Sequence, residues 1–91
     1  MDTLPVIDMM KTGQNIEKLR TEAGISVRQM QEILGFSGTH AIYKWQRGES
    51  LPTLDNIAAL SSILKVSIDK ILIYKNKEHK NGIRKEITGK Y

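Results

Sequence analysis

Apolar positions recur at spacings of three and four along most of the chain, and five short helices account for them. Ile16, Leu19 and Ala23 form the stripe of a first helix, predicted from Gly13 to Ala23. Thr12 stands where a cap is needed, and Gly24 where a left-handed end is cheapest. Gln14, Asn15, Glu17 and Lys18 are assigned to its wet side. A second helix is predicted from Val27 to Leu34. Ser26 followed by Gln29 is a capping box, with the hydroxyl taking the Gln29 N–H and the amide reaching back to the Ser26 N–H. Gly35 ends that helix and Phe36-Ser37-Gly38 makes a turn. A third helix runs from Thr39 to Gln46 or Arg47 and stops at Gly48. Pro52 holds Leu51 extended, and Leu51 is expected to plug the core. Thr53 caps a fourth helix, Leu54 to Leu64, with Leu54, Ile57, Ala58, Leu60, Ser61 and Leu64 inward. Ser67 caps a fifth, from Ile68 to Tyr74, whose Ile68, Ile71 and Leu72 close the core. Met30, Leu34, Ile42 and Trp45 complete the expected interior. The predicted fold class is all-α: a five-helix bundle over residues 12–74 with no required strand, an N-terminal extension over 1–11, and a basic C-terminal tail over 75–91.

Two capped helices joined by so short a turn must cross steeply, which is the helix-turn-helix arrangement. Ala41, Ile42 and Trp45 of the later helix face inward, and Thr39, His40, Tyr43, Lys44 and Arg47 fall on the opposite side. That outer face carries hydrogen-bonding tips, two cations and an aromatic ring, and no Asp or Glu. A helix that sits against phosphates and reads base edges needs such a surface. A solvated face that merely lacks acids is the plainer alternative.

Charge changes this picture in one respect. The net charge is +4, but residues 1–74 carry eight Lys/Arg against eight Asp/Glu, and residues 75–91 carry six against two. The surplus of four therefore lies wholly in the tail, and what matters for a nucleic-acid partner is polarisation of the body. Arg28, Lys44 and Arg47 belong to the two motif helices, whereas Glu17, Glu22, Asp55 and Asp69 lie outside them.

The two ends are read separately. In Met1–Lys11, Pro5 stops any helix, and five apolar residues argue against a simple polar arm. The segment either packs over the domain or serves as an arm along DNA or a second subunit. In the tail, Asn81-Gly82 signals a turn and Ile83, Lys85 and Ile87 alternate. Disorder is the favoured reading, with a short strand as the alternative.

Ninety-one residues make one small domain. The absence of Cys excludes disulfides and thiolate metal sites. No apolar run approaches the roughly 20 residues that span a bilayer, and no signal-peptide pattern opens the chain, so a cytoplasmic location is expected with no membrane partner. His40 and His79 are isolated from ligand partners, no glycine-rich phosphate loop exists, and Ser26, Ser37 and Ser67 read as caps. The expectation is no enzyme, no metal and no cofactor.

The segment around Ser26–Gly48 resembles the helix-turn-helix of the phage repressor and Cro type, the Xre family of bacterial and phage regulators. The resemblance runs over residues 12–73. It is carried by Ile16, Leu19, Arg20, Ile25-Ser26, Met30, Leu34-Gly35, Ser37, Ile42, Trp45, Arg47-Gly48, Pro52, Leu54, Ala59-Leu60, Val66-Ser67-Ile68-Asp69 and Ile71-Leu72. There are departures. Val27 stands where the family usually has a phosphate-touching Gln, and Gln31 where it has Ala. The turn is one residue longer, and Gln46 replaces a Glu that often pairs with the Arg at position 20.

The resemblance implies a lambda-repressor-like DNA-binding domain. It would bind double-stranded DNA as a homodimer on a two-fold-related site and act as a transcriptional regulator, with repression the expected sign. The third helix would enter the major groove. Thr39, His40, Tyr43 and Lys44 would face bases, while Arg28, Arg47 and Ser37 would hold phosphates. The dimer surface would come from Ile33, Ile73, Tyr74, the tail or the N-terminal segment. Arg20 would pack its stem on the core with its head near Gln46. The alternative is a protein-interaction module of the same fold, such as an antitoxin that binds a toxin. RNA binding ranks third, because no aromatic stacking platform is present.

Overall fold

Helix ends in this protein are fixed by short-range contacts that can be followed residue by residue. The computed structural model describes residues 3–78. Among them are five helices, α1 (Met9–Glu22), α2 (Val27–Leu34), α3 (His40–Gln46), α4 (Leu54–Leu64) and α5 (Ile68–Ile71), and two strands, β1 (Thr3–Ile7) and β2 (Tyr74–Glu78). The capping box of α2 is formed: the Gln29 N–H donates to Ser26 Oγ at 3.0 Å, and the Ser26 N–H to Gln29 Oε1 at 2.8 Å. Thr53 Oγ1 accepts the Asn56 N–H at the start of α4. Four helices end alike. The N–H groups of Ile25, Phe36, Glu49 and Val66 reach back to the carbonyls of Arg20, Gln31, Lys44 and Ser61 at 2.9–3.1 Å. The residue just before each donor is left-handed: Gly24, Gly35, Gly48 and Lys65.

The core contains Ile16, Met30, Ile42, Leu60 and Ile71, all fully buried, with Val27, Trp45, Ile57 and Leu64 almost so. Leu19, Leu34 and Leu72 are half-buried against it. Val27, which lacks the amide expected of the family, is thus a packing residue. The tightest junction is between α1 and α3. A Cβ on Gly13 would stand 1.9 Å from the Trp45 carbonyl oxygen, and one on Gly48 would stand 2.8 Å from the Met10 Cα. No helix among the described residues is long and apolar enough to cross a membrane.

Several expectations are corrected. Thr12 is not the first cap: Asp8 is, accepting the Lys11 N–H at 2.9 Å, and α1 begins a full turn earlier. Thr12 lies inside α1, fully buried, where its hydroxyl oxygen accepts the Ile73 N–H at 2.9 Å and donates to the Ile73 carbonyl at 3.3 Å. Leu54 is 87% exposed and Ile68 41% exposed, so neither belongs to the core. Each is the first residue of its helix, and spacing fixes the direction a side chain points but not how far the core extends along the axis. Ala23 and Ala58 are exposed as well. Leu51 and Asn15 are half-buried, and the Asn15 amide donates to the carbonyls of Lys70 and Ile71.

The fold is also not free of strands. Helix α5 stops at Ile71, Leu72 is extended, and β2 pairs antiparallel with β1, Ile7 opposite Tyr74 and Thr3 opposite Glu78. Continuation of α5 to Tyr74 loses to this pairing because Ile73 is held from both sides: its carbonyl takes the Asp8 N–H at 2.8 Å as well as the Thr12 hydroxyl. The N-terminal segment therefore packs on the start of the tail. The readings of Asn81-Gly82 and of Ile83, Lys85 and Ile87 lie outside the described residues.

Two substitutions test this framework by urea unfolding. Gly13→Ala would gain about 1 kcal/mol from helix propensity in an open helix. Here it is expected to lower stability by about 2 kcal/mol or more, because a backbone oxygen cannot give way. Thr12→Val should cost about 1–3 kcal/mol by stranding the Ile73 N–H, whereas Thr12→Ser should recover most of it. A neutral Gly13→Ala would mean that α1 and α3 are not in this contact.

Candidate nucleic-acid interface

Helix α3 is held from behind by its inner face. Ile42 is fully buried and Trp45 nearly so, and Phe36 sets its ring edge-on to Trp45 with centroids 5.8 Å apart at 71°. Phe36, which the sequence placed in the turn, thus anchors that turn to the helix. Gln31 secures the same residue by donating Nε2–H to the Phe36 carbonyl at 2.9 Å. Gln31, where the family usually has Ala, thus braces the longer turn at its first residue. Arg20, only 8% exposed, donates Nε–H to Gln46 Oε1 at 3.0 Å and Nη1–H to the Ile25 carbonyl at 2.8 Å. The Arg20–Gln46 contact implied by the resemblance is present.

The opposite face of α3 is the candidate surface. Thr39 precedes the helix, half-buried, and makes no capping bond with its side chain. His40 is exposed at the first position. Tyr43 is 43% exposed, and Lys44 is half-buried one residue on. Arg28 is exposed in the first turn of α2, and Ser37 is exposed in the turn. Ser37, His40 and Lys44 line one open concavity together with Gly35, Phe36, Gly38 and Ala41. Thr39, Tyr43, Arg28 and Arg47 are not part of its lining. His79 lies outside the described residues.

Sequence reading missed Glu49. Arg47 stands just beyond α3, and Gly48 reverses the chain so that the Glu49 carboxylate meets the guanidinium. Arg47 Nε donates to Glu49 Oε2 at 2.6 Å and Nη2 to Oε1 at 3.3 Å. Both side chains are about half exposed. The signal was available: an Arg-Gly-Glu run at a left-handed glycine closes a clasp across two residues. The hydrogen bond from Arg47 holds the Glu49 carboxyl below its ordinary value. Desolvation is the next largest effect and opposes it, and the charges of Arg47, Lys44 and His40 add to the lowering. The same hydrogen bond raises Arg47. Glu49 is therefore the negative centre of an otherwise basic edge.

A family model described as helix-turn-helix matches residues 16–71. The chain belongs to the Xre-type helix-turn-helix family. Among its relatives, the HTH-type transcriptional activator BcrR of Enterococcus faecalis is 32% identical over 63 residues, which is 69% of this chain and 30% of that protein. The chain thus spans under a third of that relative's length. The restriction-modification controller protein C.AhdI from Aeromonas hydrophila has a similar structure, with a TM-score of 0.64 and 26% identity over 70% of this chain and 96% of that one. The DNA-binding domain of BldD shares the fold at a TM-score of 0.61 and 20% identity, covering 71% and 93%. The family match begins at Ile16 and ends at Ile71, so both strands of the β1–β2 ribbon lie outside it.

The Arg47–Glu49 clasp has a direct readout. A 13C titration of the Glu49 carboxyl should give a midpoint below the ordinary 4.5, and Arg47→Gln should bring it back up. Because the folded value is depressed, any stability from the clasp is present above pH 4.5 and is lost as pH falls through the lowered folded value. A Glu49 midpoint that Arg47→Gln leaves unmoved would mean the clasp is not formed in solution.

Proposed function

We propose that this domain binds double-stranded DNA sequence-specifically and regulates transcription, with α3 in the major groove. The observation that carries the reading is the division of α3 into two faces. Ile42 and Trp45 lock one face to the domain, and the other presents His40, Tyr43 and Lys44 with no acid on the helix. In the proposed docking, Thr39, His40, Tyr43 and Lys44 face base edges. Lys44 is the candidate for guanine and Tyr43 for a thymine methyl. Arg28, Ser37 and Arg47 flank them and take phosphates, Arg28 standing in for the amide that Val27 lacks.

One short helix reads few base pairs, so the proposal includes a homodimer on half-sites one helical turn apart. Ile33, 58% exposed, and Tyr74, 50% exposed, are available for the dimer surface. Repression is the proposed sign, since it needs only occupancy of a promoter. The BcrR relative is an activator by name, and a reporter gene separates the two. The second reading, a protein-interaction module such as an antitoxin, draws on Leu54, whose side chain is almost wholly in solvent at the start of α4.

Selection from a random duplex pool, followed by fluorescence-anisotropy titration at several salt concentrations, tests the reading. An enriched inverted repeat is expected. Lys44→Ala should relax preference at one base pair. Arg28→Ala should weaken binding to every duplex and reduce the salt slope by about one unit. Unchanged affinity and preference on Lys44→Ala would overturn the docking, and no enrichment at all would favour the protein partner.

A further inference from the structure

Among the described residues, Arg47 is the one proposed phosphate ligand held in a salt bridge. Its Nε and Nη2 engage the two oxygens of Glu49, so the guanidinium presents to a carboxylate the same two-pronged edge that it would present to a phosphate. One edge cannot serve both anions. We propose that Glu49 is an internal stand-in for a DNA phosphate. It occupies Arg47 in the free protein and yields it when DNA docks, and in doing so it sets how strongly the interface holds DNA of any sequence. The inference rests on the DNA-binding reading above.

Three features support it. The clasp is half exposed and open to solvent, and exposed ion pairs hold their partners weakly, so exchange for phosphate is cheap. The exchange also keeps the fold intact. Glu49 is fixed through its backbone by the bond from its N–H to the Lys44 carbonyl at 2.9 Å, and its side chain is free to swing away without disturbing the end of α3. Finally, the charges of Lys44 and His40 also act on the Glu49 carboxyl, so the carboxylate lies in the field of the residues proposed to meet bases as well as in the clasp. A protein that meets random DNA first gains discrimination if a cation is released only where the backbone comes close enough to replace the carboxylate.

A double-mutant cycle on the full chain tests this by anisotropy, using the selected duplex and a scrambled one across 50–300 mM salt, over which the Debye length falls from about 14 Å to about 6 Å. Glu49→Gln should tighten binding to both duplexes by roughly three- to tenfold at low salt, steepen the salt slope by up to about one unit, and narrow the ratio between the two duplexes. Arg47→Gln should weaken both. In the Arg47→Gln background the Glu49→Gln gain should shrink to less than twofold, because the carboxylate then has no arginine to withhold. Three results would overturn the proposal. A gain that persists undiminished without Arg47 makes Glu49 a plain like charge near DNA. A loss of affinity in Glu49→Gln means that the carboxylate positions Arg47 for contact. No change means that the clasp is irrelevant to binding. The last two, with wild-type binding still sensitive to Lys44→Ala, sink this inference alone, whereas absence of wild-type binding to either duplex sinks the DNA reading along with it.

Discussion

The orientation of α3 depends on a backbone-to-backbone approach. Gly13 lies so close to the Trp45 carbonyl that no side-chain carbon fits between them, and Gly48 makes a second, less close approach to the backbone of Met10. Helix α3 has only seven residues, too few to be stable by itself, so its direction is imposed by what it rests on. Contact through backbone is stiffer than contact through rotatable side chains. Arg20 completes the arrangement from the other end of α1: one nitrogen binds Gln46 on α3 and another binds Ile25 ahead of α2. A single buried guanidinium thus ties the first helix to both halves of the motif. With Gln46 in place of a carboxylate, that tie is made of neutral acceptors.

A second regularity explains which side chains are left for function. At the ends of α1, α2 and α4, the residue whose carbonyl receives the returning N–H also uses its own side chain to grip that incoming residue. Arg20 binds the Ile25 carbonyl, Gln31 that of Phe36, and Ser61 that of Val66. The equivalent residue of α3 is Lys44. Its side chain makes no such bond among the described residues, and Lys44 lines the concavity together with His40 and Ser37. The helix that does not spend this side chain on its own end is the one whose outer face is proposed to meet DNA. Its closing contact is displaced to Arg47 and Glu49, across the left-handed Gly48.

Much of this was legible in the sequence because it is local. Ser26 with Gln29, Thr53 with Asn56, and Gly24, Gly35 and Gly48 act within a few residues of themselves, and the inward positions of α3 follow from spacing alone. What was not legible depends on distant partners. Thr12 reads as a cap until Ile73, 61 positions away, is known to need its hydroxyl. Residues 74–78 read as helix end and solvated tail until β1 supplies the other half of the ladder. Leu54 and Ile68 have the right spacing for burial and lie where the core has ended. On the α3 side, the outward set could be read from periodicity, but the occupation of Arg47 by Glu49 required knowing that Gly48 turns the chain back.

The ribbon and the charge balance bear on one another. Residues 1–74 carry no net charge, so the body offers little long-range attraction to a polyanion, and any preference for DNA must come from where charges sit. Within a Debye length of about 8 Å, local arrangement outweighs the total. At the α3 edge, one carboxylate, Glu49, is clasped by Arg47 and lies in the field of Lys44 and His40. The β1–β2 ribbon brings Lys75 and Lys77 opposite Val6 and Leu4, on residues that periodicity had assigned to a free tail. Pairing ties the backbone of β2 to the start of α1 through Ile73, Thr12 and Asp8. A domain built this way separates geometry from charge. Backbone contacts at Gly13 and Ile73 set geometry, and the exposed charges proposed to meet DNA are not needed for the core.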